Sequence, residues 1–347
     1  MAYALLAERS VYVDGKFIRS LLEMGETGWA EANSDYGFRG RVAAGCQHMV
    51  TAAYRDGNRT VLADIHEALA VIYDRDFAVT SLDAVGSETQ PILRDIAAMF
   101  EGAMLDWESS QASAHDLDGA PTSGKAYVRW IKRAILDHPA GSHRLYSSFL
   151  ADHANAADFK FFMAQETSLD PRFDDILALM QVGTSGAQKM ELAGNYWDEM
   201  GNGESGDVHT AMFAKTLSSL GIDDDYLATN MLLEARISGN LSAALALSRR
   251  HYYKAAGFFA VTEYLVPRRF KQLTKGWRRA GLPEAGIRYH DLHIGIDAVH
   301  ASGWFKNVVA RLVDADPRAG REIALGALMR LSSSQRYMDA LMERLAR

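Results

Sequence analysis

The chain has 347 residues and a net charge of −7, which argues against nucleic acid or an anionic membrane as its main partner. Its composition, 48% hydrophobic and 23% charged, is that of a folded globular protein rather than a disordered one. The single cysteine, Cys46, excludes an internal disulfide framework and a thiolate-built metal site, so any metal here takes nitrogen and oxygen ligands; it also fits a reducing cytoplasm.

Residues 1–10 interrupt their one short apolar run with Glu8 and Arg9, unlike a secretory signal. No apolar run approaches the ~20 residues of a membrane span. Strand-like alternation is confined to Ser10–Gly15. Helical spacing dominates from there on: Ile65–Tyr73 and Ile92–Phe100 both read as amphipathic helices. The small, polar, Gly/Pro-punctuated stretch Ser109–Gly124 reads as a linker, which puts a boundary near residue 122. An N-terminal helical segment, 1–122, then precedes a second part, 123–347. The apolar faces of 1–122 must be buried, either over the second part or in a homodimer interface.

The second part opens with a helix at Lys125–Leu136, followed by Ala157–Glu166, Phe173–Met180 and Gln188–Glu199. Gly201, Gly203 and Gly206 stop the last of these, and Asp207 is placed to cap a helix through Leu217. Later helices are expected over Asp225–Ser238, over Leu241–Leu265 (stopped by Pro267), over Leu292–Val313 and from Arg318 onward. Many long helices with short connections predict an all-α, antiparallel bundle.

Chemistry concentrates in His293, Asp297 and His300. Their i, i+4, i+7 spacing puts them within roughly 60° of one another on a helix, a stripe that suits one metal or a metal pair. Leu292, Ile296 and Val299 form a neighbouring apolar stripe, which would set the polar stripe at the edge of the core. Glu166 ends a helix rich in Phe161, Phe162 and Met163, and Glu263 is the one charge in the apolar run 256–266. Such carboxylates are costly to bury without a cation. Each also has a plainer reading, as a helix-end glutamate in water or a polar stripe facing solvent. Glu199 and His209 would not share a stripe on one continuous helix; the glycines between them let Glu199 finish one segment and His209 enter from the next. Glu191, Asp198 and Glu204 compete with Glu199 for the role. His290 reads as a helix-start histidine in water, with a partner to the ligands as its alternative.

In order and spacing, Glu166, Glu199 with His209, Glu263, and His293-x3-Asp297-x2-His300 resemble the haem-oxygenase-like diiron oxidases and oxygenases, over roughly residues 123–347. The resemblance implies a haem-oxygenase-like up-and-down helical bundle with an N-terminal helical extension. It implies two iron ions rather than haem, the second held loosely, with O2 as co-substrate and an external reductant. By that resemblance Glu166 bridges the irons, Glu199, His209 and His300 hold one, and Glu263, His293 and Asp297 hold the other. The extra carboxylate at Glu199 is similar to the branch that oxidises a small amine, amino acid or amino-heterocycle in natural-product biosynthesis. Oxidative C–C cleavage or decarboxylation at the same site is the alternative, and a metal-free helical binding protein the second. The basic stretch 267–279 is either a dock for an acidic electron donor such as a ferredoxin or a solvated basic face. Tyr196, Trp197, Tyr264 and Tyr289 flank the candidate ligands, as pocket lining or as core.

Overall fold

The structure is a computed structural model, and it describes residues 11–345 except 80, 81, 83–85, 87, 88, 113–116 and 118. The described residues form helices and no strand. The chain divides into two compact units, 1–110 and 111–347, a division that falls at the front of the polar stretch 109–124.

The first unit contains α1 (Gly15–Leu22), α2 (Glu26–Ser34), α3 (Tyr36–Val50), α4 (Arg59–Asp76) and α5 (Pro91–Gln111). α4 starts where Asn58 accepts from the backbone N–H groups of Thr60 and Val61. It buries Ile65, Leu69 and Ile72 and packs on α1, which buries Phe17, Ile18 and Leu21. The strand expected over Ser10–Gly15 is absent from its described residues, 11–15. Asp14 instead accepts from Phe17 N at 2.8 Å and turns the chain straight into α1. Ser10 lies outside the described residues.

The second unit contains α6 (Gly124–Asp137), α7 (Ala156–Glu166), α8 (Phe173–Gln181), α9 (Gly186–Glu199), α10 (His209–Ser219), α11 (Asp224–Asn230), α12 (Leu233–Leu247), α13 (Tyr252–Arg279), α14 (Arg288–Gly303), α15 (Ala310–Ala315) and α16 (Ala319–Leu345). α13 is the central post and packs on α14 and α16. Its approach to α16 is set by Gly257 and Gly326, where a Cβ would run into the carbonyls of Ile323 and Lys254.

Several boundaries differ from the sequence expectation. The helix expected over Asp225–Ser238 breaks at Met231–Leu232, because the buried Gln165 amide donates to Asn230 O at 2.9 Å and accepts from Leu232 N at 2.8 Å. The helix expected over Leu241–Leu265 is broken after Leu247 by the turn at Arg249–His251, and its second part, α13, runs past Pro267 to Arg279. An interior proline costs ~3 kcal/mol, but Phe270, Leu273 and Trp277 beyond it are all buried, and each such side chain contributes ~1.5–3 kcal/mol. Lastly, Val208 rather than Asp207 precedes α10; Asp207 instead pairs with Arg288 at 2.6 Å.

Candidate metal centre

α9, α10, α13 and α14 bring six buried side chains together as two triads, Glu199–His209–His293 and Glu263–Asp297–His300. Within each, three ligand atoms lie within 4.8 Å of one another.

The first triad depends on the loop between α9 and α10. Gly201, Asn202 and Gly203 all have positive φ, which doubles the chain back. A Cβ on Gly201 would sit 2.6 Å from the carbonyl carbon of Asp207, so only glycine fits there. The reversal puts Glu199 Oε2 2.8 Å from His209 Nδ1, with Glu199 Oε1 3.6 Å from His293 Nε2. Burial works against the charge on Glu199, but the adjacent imidazoles of His209 and His293 prevail and hold its carboxyl down at about 2.

The second triad joins Glu263 of α13 to Asp297 and His300 of α14. His300 Nδ1 lies 3.7 Å from Glu263 and 3.6 Å from Asp297, and its Nε2 meets Asp198 Oδ2 at 2.9 Å. Asp198 thus orients the ring, as carboxylates behind metal-bound histidines do. The carbonyl of Tyr289 does the same for His293, meeting its Nδ1 at 2.7 Å and leaving Nε2 facing inward. Burial and the neighbouring Asp297 raise Glu263 to about 7. Burial opposes charge on the histidines, yet the surrounding carboxylates lift His293 to about 10 and His300 to about 11.

The inward atoms of both triads lack hydrogen-bond partners: Glu199 Oε1, both oxygens of Glu263, His293 Nε2 and His300 Nδ1. His209 Nδ1 joins them, near Glu199 in distance but out of hydrogen-bond geometry. Leaving each buried polar group unmatched costs ~1–3 kcal/mol. One cation per triad would satisfy them together, and carboxylate–imidazole sets suit a divalent transition metal, Fe(II) included. The residues fit the group.

The structure arranges several of the expected residues differently from the grouping the resemblance implies. His293 and His300 exchange places relative to the expected grouping. Glu166 joins neither triad; its Oε1 accepts from Tyr337 at 2.7 Å. Asp170, four residues on and in a short 3₁₀ turn, lines a cavity with Glu263, His293 and Asp297 instead, and its Oδ2 has no partner. Asp170 sits among Thr167, Ser168, Arg172, Asp174 and Asp175, a polar stretch in which nothing in the sequence singles it out. His290 is fully buried, not in water: it packs on Phe270 with ring centroids 4.7 Å apart, and burial pushes its pKa well below the usual value. The apolar stripe of α14 is inverted, with Val299 71% exposed and the polar stripe buried. Of the rivals to Glu199, Glu191 accepts from Asn307 and Glu204 is exposed. Tyr289 lines the cavity, Tyr264 packs on Phe305, and Trp197 is exposed.

A family model described as iron-containing redox enzyme matches residues 160–335, a span that holds both triads. The chain belongs to the iron-containing redox enzyme family. This iron-containing redox enzyme is an oxidoreductase, and its paired buried clusters are consistent with a diiron site in a haem-oxygenase-like, all-α bundle. No curated protein matches the chain. Among the described residues no helix is long and apolar enough to cross a membrane.

Proposed function

We propose that the chain is a non-haem diiron oxygenase that N-oxidises a small amine, amino acid or amino-heterocycle, towards a hydroxylamine, nitroso or nitro product, in natural-product biosynthesis. Glu199, His209 and His293 would hold one iron; Glu263, Asp297 and His300 would hold the other. Bound iron would supply O2 activation. For the first step, R–NH2 gains one oxygen atom to become R–NHOH, and the second oxygen leaves as water with two electrons and two protons from an external reductant. The observation that carries this reading is Glu199 beside His209, a carboxylate beyond what a simpler histidine–carboxylate pair requires.

This chain's own residues do the holding and the proton control. Asp198 and the carbonyl of Tyr289 fix the rings of His300 and His293, so neither needs to rotate into place. Phe173, Phe270 and Tyr289 wall the cavity and limit water. Asp170, aimed into the same cavity, is the fourth carboxylate and the seventh side chain toward the iron pair in this reading, in place of Glu166.

Anaerobic Fe(II) loading followed by removal of excess metal tests the site. About two irons per chain are expected, and fewer than about 0.2 would sink the reading. Asp170→Ala should lower retention more than Glu166→Ala; the reverse order returns the role to Glu166. A screen of small amines then reads the chemistry: gain of oxygen supports N-oxidation, whereas loss of CO2 moves the assignment to oxidative decarboxylation. N-oxidation undiminished in Glu199→Ala would refute the role of that carboxylate.

A further inference from the structure

A second cavity abuts the metal cavity and is lined by Tyr146, Glu166, Ser168, Arg269, Arg330 and Tyr337, among others. Two guanidinium groups therefore line one space. Arg330 donates from Nε to Thr262 Oγ1 at 3.0 Å and from Nη1 to Ser238 Oγ at 2.9 Å, and it lies over the Phe258 ring. Arg269 donates to Ala140 O at 3.0 Å and lies over the Tyr146 ring. Among the described residues, neither has a carboxylate within ion-pairing distance. The one carboxylate of the cavity, Glu166, is taken up by the Tyr337 hydroxyl. Burial, and then repulsion from Arg269, pull the Arg330 guanidinium down to about 10, as expected of a cation short of a counter-ion.

The two cavities share walls. Leu169 lines both, and Thr262, which receives the Arg330 hydrogen bond, lines the metal cavity beside Glu263. Glu166 and Ser168 face the arginines while Asp170 faces the triads, so one short segment serves both spaces.

We propose that the Arg269–Arg330 cavity binds a carboxylate carried by the substrate, so that the amine presented to the iron site belongs to an amino acid or another amino-carboxylate. Two guanidiniums beside one carboxylate, Glu166, that is already held by Tyr337 make the space attractive to an anion. Planar, forked donors suit the two oxygens of a carboxylate. Tyr146, Ser238 and Ser334 are buried polar groups positioned to complete the pocket.

This inference rests on the N-oxygenase reading for the identity of the amine, but the carboxylate site is tested without iron. Isothermal titration of the full-length, iron-free protein would use ω-amino acids of increasing chain length, the matching alkylamines that lack the carboxylate, and inorganic phosphate. Binding of at least one amino acid, at least about tenfold tighter than its alkylamine, is expected. Arg269→Gln and Arg330→Gln should each weaken it by about tenfold or more while iron stoichiometry stays unchanged. Arg269 is the safer variant, because Arg330 also holds Thr262 and Ser238; a circular-dichroism melt shows whether Arg330→Gln folds. Equal affinity for amine and amino acid, no binding of any carboxylate, phosphate binding as tight as carboxylate, or an unchanged affinity in Arg269→Gln would each overturn the proposal. Failure of iron loading would instead sink the oxygenase reading and leave the carboxylate site standing.

Discussion

The two triads draw on the same helix, α14, but differ in charge and in construction. Glu199–His209–His293 has one carboxylate and two imidazoles, gathered from three helices by a loop of left-handed residues. Its carboxyl is held at about 2 by its own histidines. Glu263–Asp297–His300 has two carboxylates and one imidazole, needs only two helices, and pushes Glu263 up to about 7. The first triad is largely neutralised before any metal arrives and depends on backbone geometry. The second is rigidly placed and electrostatically unsatisfied, so a dication relieves more there. Two sites sharing one helix can therefore fail for different reasons.

Glu263→Ala gives the sharpest break. It should abolish iron at the second triad and leave the first able to bind, reducing loading to about one iron per chain or below; iron counting checks it. Gly201→Ala attacks the other triad through the backbone. A left-handed alanine clashing with residues 207–208 should cost about 1–3 kcal/mol of stability, read by denaturant melts, and should lower iron at the first triad only. Asp198→Asn should weaken iron at the second triad by roughly 10–100-fold, in line with other carboxylates behind metal-bound histidines. Equal loss from both triads in either of these variants would erase the distinction.

The smallest expected effect is on pH. His293 and His300 are raised from 6.5 to about 10 and about 11 in the folded, metal-free protein. Their contribution to stability is fully present below 6.5 and is lost as pH rises through those values. Glu263, raised from 4.5 to about 7, acts in the same direction over its lower window. The metal-free protein should therefore melt roughly 3 °C or more lower at pH 9 than at pH 6.5. The iron-loaded protein should show less of this slope, because bound metal has already displaced the protons.

Much of this was legible in the sequence, for reasons that also mark its limits. The α14 stripe could be read because helical periodicity converts spacing directly into a shared face, and Glu263 because a lone charge in an apolar run needs compensation. The loop glycines 201 and 203 signalled the reversal that brings Glu199 to His209. Asp170 was invisible because its position depends on a short irregular turn after α7, where no periodicity applies. Glu166 ends α7 as the sequence placed it, but nothing in the sequence could show that Tyr337, 171 residues away, donates to its carboxylate. Pro267 misled because a local penalty was set against packing that only the tertiary structure reveals.

The inversion of α14 has a consequence for how the chain assembles. This helix hides His290, His293, Asp297 and His300 and leaves Leu292 and Val299 to the outside. Hydrophobic collapse alone would turn it the other way round. Its seating must instead come from neighbours on α13 and from ligand bonds, so a bound cation would serve as the core residue that α14 lacks. In the metal-free protein, the amides of α14 should exchange with deuterium ahead of those of α13, and iron should silence that difference.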